Sequence, residues 1–168
     1  FRYYDVRQAM AITLAGQFVI RFIEKNVNEY MNKILKTHDK IDYIVASDTD
    51  SIYLTMDKLV EQVCKDKTKE QTLKFLNKVV ESRIEPFLDK CFKQLADYTN
   101  AFKNKMVMKR EVIADKGIWT AKKRYILNVW DSEGVRYEEP KLKMMGIEAV
   151  KSSTPAPCRK MIKDALNI

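Results

Sequence analysis

Ile41-Asp42-Tyr43-Ile44-Val45-Ala46-Ser47, then Asp48-Thr49-Asp50, then Ser51-Ile52-Tyr53-Leu54-Thr55: an apolar run, an acidic interruption and a second apolar run. β-Branched and aromatic residues at this density read as strand, and the first run, apolar almost throughout, reads as a buried one. Asp48, Thr49 and Asp50 are turn formers. The two runs are therefore expected to pair as an antiparallel β-hairpin with acidic residues at its tip.

Upstream, Ile12, Val19, Ile23, Val27, Tyr30 and Ile34 recur at mostly helical spacing. They predict one amphipathic helix from Asp5 to about Lys36, broken at residues 37–40, where His38 is a loop residue without a catalytic role. Downstream, Asp57 is placed to cap a short helix over 58–64. Leu73, Leu76, Val80, Ile84, Phe87, Cys91 and Leu95 then step by three or four, a second long helix that Pro86 must kink or restart. After about Asn100 the character changes. Val107–Ala114, Trp119–Trp130, Val135–Tyr137 and Leu142–Met145 predict strands, with a turn at Asp131-Ser132-Glu133-Gly134. Ser153-Thr154 offers an N-cap with Pro155 at the first helical position. Trp119, Tyr125, Trp130, Met144 and Met145 read as packing residues rather than base-stacking platforms.

This order is α+β: a mostly antiparallel sheet with long helices packed on one face. One domain is expected over 1–168, with a leading helix (1–40), the hairpin (41–57), helices (58–100), strands carrying a basic motif (101–150) and the start of a further helix (151–168).

Composition narrows the function classes. A chain of 168 residues with 46% hydrophobic and 32% charged residues can bury a core and is not a disordered segment. No run approaches the roughly eighteen apolar residues of a membrane span. Cys64, Cys91 and Cys158 form no zinc-ligand spacing with the single His38, and the three cysteines are expected as reduced thiols of a cytosolic protein. The net charge of +8 is lopsided: residues 1–100 hold 16 Lys/Arg against 15 Asp/Glu, whereas 101–168 hold 15 against 8. A basic half suggests a polyanion, either nucleic acid or an anionic membrane surface; a merely solvated basic surface is the plainer alternative. Phe1 opens with neither Met nor a signal-peptide pattern, and Met161–Ile168 stops inside an apolar-periodic stretch, so an excised piece is expected.

Two constellations carry chemistry. In an extended chain, Asp48 and Asp50 would project to the same side. Two such carboxylates repel unless a cation lies between them, and Mg²⁺, a hard ion that prefers oxygen, suits the place. A two-metal site holds its ions about 3.5–4 Å apart and stabilises both oxygens of a phosphoryl displacement. Turn chemistry alone would also account for Asp-Thr-Asp. The second constellation is Lys122-Lys123-Arg124-Tyr125. On a β-patterned segment Lys122 and Arg124 face one way, Lys123 and Tyr125 the other. Such cations give salt-dependent, sequence-blind phosphate affinity and can reach minor-groove acceptors; a solvated basic strand is the alternative. Lys116-Gly117 lacks the surrounding glycine pattern of a phosphate cradle.

Ile44–Tyr53 (IVASDTDSIY) resembles the DTDS hairpin of family B DNA polymerases, and Trp119–Tyr125 (WTAKKRY) resembles their KKRY motif, in the same order along the chain. Phe1–Asp5, Val27–Tyr30, Glu85-Pro86, Tyr137–Gly146 (YEEPKLKMMG) and Lys151–Pro155 (KSSTP) resemble in particular the replicative enzymes of T-even-type bacteriophages.

The resemblance implies part of a polymerase palm, with template-directed nucleotidyl transfer by two Mg²⁺ ions on primer–template DNA and dNTP, in the bacterial host cytoplasm. It matches Asp50 to the aspartate that ligates the catalytic metals, Asp48 to its partner and Glu111 to a third palm carboxylate. Thr49 and Ser51 support the hairpin. Lys122, Lys123, Arg124 and Tyr125 match residues on the primer strand and minor-groove side, and Lys151 a DNA-backbone contact. Three positions depart from the pattern: Ala46-Ser47 stands where Tyr-Gly usually precedes the first aspartate, and Lys109 where related phage enzymes have an acid. The family's other catalytic aspartate, in a D-x-x-S-L-Y-P-S stretch, and the N-S-x-Y-G pattern of the fingers do not occur in this sequence. The piece is therefore expected to be inactive alone and to need the missing regions in cis or in trans. A non-catalytic DNA-binding module, a metal nuclease and one half of a split polymerase are the alternatives.

Overall fold

Asp5 starts the first helix by accepting the Arg7 backbone N–H at 2.9 Å, and α1 runs from Val6 to Leu35. Lys36 ends it in the left-handed region at φ 50°, its N–H on the Asn32 carbonyl. The structure, a computed structural model, describes residues 4–37 and 41–166. His38 and the motif opening Phe1-Arg2-Tyr3 lie outside the described residues.

The described chain forms two compact units, residues 1–109 and 110–168. In the first, β1 (Ile44–Ser47) pairs antiparallel with β2 (Ile52–Leu54), as expected. The short helix α2 (Asp57–Val63) follows; Asp57 is its first residue rather than its cap, and Met56 occupies the cap position. A reciprocal capping box between Thr68 and Gln71 opens α3 (Lys69–Val79). The irregularity expected at Pro86 is present. Val80–Ile84 form a π-turn that runs directly into α4 (Glu85–Tyr98), the backbone staying right-handed helical at Ile84 and Glu85, and Pro86, which has no N–H to give to the preceding turn, sits just after this widened turn.

The core of this unit gathers Ile23, Val27, Met31 and Leu35 of α1, Tyr43, and Ile84, Leu88, Cys91 and Phe92. Burying each aliphatic side chain contributes roughly 1.5–3 kcal/mol relative to exposure. The buried stripe of α1 lies on its C-terminal half, where α4 and β1 pack. Ile12 (75% exposed) and Ile34 (45% exposed), expected on that stripe, are corrections. Val45 is another: β1 alternates in burial instead of being buried throughout, and a bulge between Ile44 and Ala46 leaves Val45 at the surface.

What fixes the hairpin to α1 is a pair of asparagines. Asn28 Oδ1 accepts the Tyr43 N–H at 2.8 Å and Asn28 Nδ2 donates to Asp42 Oδ1 at 2.8 Å. One turn on, Asn32 Nδ2 donates to the Ile41 carbonyl at 2.8 Å, and Asn32 Oδ1 accepts the Ile41 N–H at 2.9 Å and the Thr37 hydroxyl at 2.7 Å. The spacing is commensurate, because four helical residues rise about 6 Å and two strand residues span about 6.6 Å. The helix thus serves residues 41–43 as an extra strand would.

In the second unit β3 (Val112–Ala121), β4 (Arg124–Ser132) and β5 (Val135–Met145) form an antiparallel sheet in that order, followed by α5 (Ala156–Leu166). The α+β class with antiparallel sheets stands, the strands dividing into a two-stranded and a three-stranded sheet. Three boundaries differ from expectation. Strand begins at Val112, not Val107. The run Trp119–Trp130 is interrupted at Lys122-Lys123, because Ala121 pairs with Arg124 across a two-residue turn. Val135–Tyr137 and Leu142–Met145 are one strand; Pro140 is tolerated because β5 is an edge strand whose register shifts between Arg136 and Lys141. Met145, expected in the core, is 46% exposed. α5 starts one residue after the expected Pro155.

Cys64 and Cys91 are buried free thiols and Cys158 an exposed one. No described helix is long and apolar enough to cross a membrane.

Replacing Asn32 with alanine removes the partners of Ile41 and Thr37 together. It should destabilise the first unit by about 1–3 kcal/mol, the cost of leaving such groups unsatisfied. Urea unfolding followed by circular dichroism measures this; a change of only a few tenths would mean that the ladder does not hold the hairpin.

Candidate functional site

Ser47 pairs with Ile52, and the Asp48 N–H donates to the Ser51 carbonyl at 2.9 Å, so the hairpin closes around Thr49 and Asp50. Asp48 Oδ1 accepts both the Thr49 N–H at 2.8 Å and its hydroxyl at 3.2 Å. The chain therefore bends at Thr49-Asp50 and is not extended there, so alternation along a strand does not set where the two carboxylates point. The bend itself puts them at one tip, Asp48 half-buried at the stem and Asp50 exposed in the turn. Thr49 takes part through its N–H and hydroxyl, and Ser51 through its backbone carbonyl. Within the first unit no third His, Cys, Asp or Glu among the described residues completes a metal-binding cluster.

Glu111 belongs to the second unit, immediately before β3, and lies in neither strand of the hairpin's sheet. Its side chain is exposed, and its carbonyl accepts the Glu133 N–H at 2.6 Å. That turn is anchored by Asp131, which is 2% exposed: Asp131 Oδ1 accepts from Arg110 Nη1 at 2.5 Å and from the Gly134 N–H at 3.1 Å. Sequence reading gave Asp131 only a turn role; burial of a paired carboxylate is what makes it the anchor of the β4–β5 end.

Lys122-Lys123-Arg124-Tyr125 does not lie along a strand. Lys122 and Lys123 form the turn between β3 and β4, both exposed, and Lys123 adopts φ 61°. Arg124 begins β4 half-buried, and Tyr125 is 9% exposed. The expected alternation, Lys122 with Arg124 against Lys123 with Tyr125, is therefore replaced by lysines at a tip and a tyrosine beneath them. Arg124 Nη2 contacts both Glu148 carboxylate oxygens at 2.5 Å, and Lys151 Nζ donates to Glu148 Oε1 at 3.1 Å. The Lys151 hydrogen bond, with Arg124 alongside, holds the Glu148 carboxyl below the ordinary glutamate value of 4.5. A depressed carboxylate contributes above its ordinary value and loses that contribution as pH falls through the lowered one. The trio is therefore intact at neutral pH.

A family model described as Divergent Family B DNA polymerase matches residues 19–168. The chain belongs to that family. It is 45% identical over 176 aligned residues to the DNA-directed DNA polymerase of Escherichia phage RB69, and 43% identical over 176 to that of Enterobacteria phage T4. Each alignment covers 99% of this chain, but only 19% and 20% of the relatives, so the chain spans about a fifth of their length.

The residues of this family B chain whose part is not evident from sequence are Asn28, Asn32, Asp131, Gly146 and Glu148. Asn28 and Gly146 lie inside the family-like stretches, and the four-residue spacing of the asparagines is a usable signal. Gly146 has φ 64°, and a Cβ there would run into the Lys123 carbonyl oxygen. Gly146→Ala should therefore cost about 1–3 kcal/mol, from a left-handed backbone and a backbone collision together. Thermal unfolding of the variant measures this, and an unchanged Tm would show that the Lys122-Lys123 turn does not depend on that close approach.

Proposed function

We propose that this chain is part of the palm of a DNA-directed DNA polymerase, the first unit contributing the acidic hairpin and the second the basic turn. The observation that carries this reading is the tip of the β1–β2 hairpin, Asp48-Thr49-Asp50-Ser51, in a chain similar over 99% of its length to two phage polymerases. The reaction is template-directed nucleotidyl transfer, in which the primer 3′-hydroxyl attacks the α-phosphorus of a dNTP and pyrophosphate leaves. It would run in the host cytoplasm as part of phage DNA replication.

Two carboxylates at a solvent-facing tip form an all-oxygen donor set, which fits Mg²⁺. Asp50 is the ligand and Asp48 its partner; Glu111 is a supporting carboxylate. Bound Mg²⁺ would supply charge stabilisation at the transferring phosphate. The chain's own contribution is to hold Asp48 and Asp50 on a hairpin fixed to α1 and to grip the primer–template with Lys122, Lys123, Arg124 and Lys151. Tyr125, buried beneath the turn, supports that grip. Positioning of this kind is a large part of phosphoryl-transfer catalysis. The remaining ligands and the dNTP site would come from the rest of a polymerase, in cis or in trans.

Two assays test the reading together. With Mg²⁺, dNTPs and primer–template, the 168-residue chain alone should give no extension, and a complete polymerase carrying this segment should lose extension on Asp50→Ala. The chain should bind duplex DNA without sequence preference. Replacing Lys122, Lys123 and Arg124 with alanine should flatten the slope of log K against log salt by roughly 0.9 for each phosphate that is no longer neutralised. An unaltered slope would remove the basic turn from the DNA grip, and extension that survives Asp50→Ala would remove the hairpin from the chemistry.

A further inference from the structure

Residues Gly146–Lys151 cross beneath the Lys122-Lys123 turn, and the carboxylate they carry lies between two of the proposed DNA-binding cations. Glu148 meets Arg124 at 2.5 Å and Lys151 at 3.1 Å. Its backbone is anchored on both sides, by Ile147 at 6% exposure and Ala149 at 0%, and the Val150 N–H closes a turn onto the Ile147 carbonyl at 3.1 Å. A Cβ on Gly146 would also stand 3.2 Å from Arg124 Cγ, so this loop and the basic turn touch apart from the ion pairs. The carboxylate is thus presented from a fixed backbone, while the three side chains remain 38%, 51% and 41% accessible for Arg124, Glu148 and Lys151.

Accessible ion pairs contribute little to stability, so a fold requirement does not explain the arrangement. Long cationic side chains lose rotamer freedom when they grip a phosphate, and ordering them beforehand lowers that cost. We propose that Glu148 is a positioning residue of the DNA grip: its carboxylate holds Arg124 and Lys151 side by side, oriented for adjacent phosphates. The inference rests on the DNA-binding reading given above. It makes a counter-intuitive demand, since a negative charge in a phosphate-binding surface should by Coulomb's law alone weaken binding.

That sign is the test. Binding of the full chain to a fluorescent primer–template duplex is measured by anisotropy at neutral pH over a range of salt. Glu148→Ala makes the protein one charge more positive, yet it should weaken binding about three- to tenfold and flatten the salt slope by roughly 0.9 to 1.8, the equivalent of one or two neutralised phosphates. Glu148→Gln, which keeps one acceptor and the side-chain volume, should fall between wild type and alanine. It also keeps the test open if the alanine variant folds poorly by circular dichroism. In an Arg124→Ala, Lys151→Ala background, Glu148→Ala should no longer weaken binding and should tighten it slightly, because only repulsion is left to remove. Tighter binding by both Glu148 variants of the otherwise intact chain would overturn the proposal. If the Lys122, Lys123 and Arg124 triple replacement flattens the slope while the Glu148 variants bind more tightly, the positioning role alone fails. If the triple replacement leaves the slope unaltered, the DNA-grip reading fails and this role with it.

Discussion

The acidic hairpin stands on hydrogen bonds that a helix makes to a strand. Its sheet has two strands, and a two-stranded hairpin is at best marginally stable by itself in water. Asn28 and Asn32 of α1 supply, from side chains, bonds that a neighbouring strand would otherwise give to residues 41–43. Tyr43, at 1% exposure, seals the same junction with its ring, and its hydroxyl lies 3.2 Å from that of Thr37. With Asp50 exposed and Asp48 only half-buried, the hairpin tip draws little order from burial of its own and depends on this ladder and on the core of the unit. The π-turn before Pro86 belongs to the same scheme, since α4 continues from it with Leu88, Cys91 and Phe92 directed into that core.

The second unit solves a similar problem by different means. Its basic turn has a lysine in a left-handed conformation, a position that glycine or asparagine usually takes in turns. Strain of this kind persists only where the surroundings over-determine it. Here Gly146 allows the chain to pass against the Lys123 carbonyl, and Tyr125 and Leu127 are buried below. At the other end of the sheet the buried Asp131 ties Arg110 to the Glu133-Gly134 turn, where both residues have positive φ. Both ends of β4 are therefore fixed, one by a glycine and the other by a carboxylate.

The long helices, the hairpin and the irregularity at Pro86 were legible because periodicity, turn chemistry and the missing proline N–H act locally. The misreadings have nonlocal causes. Ile12 fits a helical period, but burial along α1 depends on where α4 and β1 lie against it. Trp119–Trp130 has strand composition throughout, and only the pairing of Ala121 with Arg124 exposes the turn hidden at two lysines. Of the candidate site, Asp48, Asp50 and the basic motif were visible as residue types in a telling order. Glu148 was not, because its meaning lies in which distant groups it meets, and a lone Glu carries no such label in a sequence.

The cation proposed at Asp48 and Asp50, on the hairpin fixed to α1, can be sought directly with a paramagnetic ion. Mn²⁺ shares the oxygen preference of Mg²⁺ and broadens the amide resonances of nearby residues. In a titration of the isotopically labelled chain, amides of residues 47–52 should broaden first, and Asp50→Asn should abolish that selectivity while leaving the remaining spectrum in place. Broadening that is no stronger at the hairpin than at the exposed Glu138-Glu139 pair, and indifferent to Asp50→Asn, would mean that the hairpin is not a cation site.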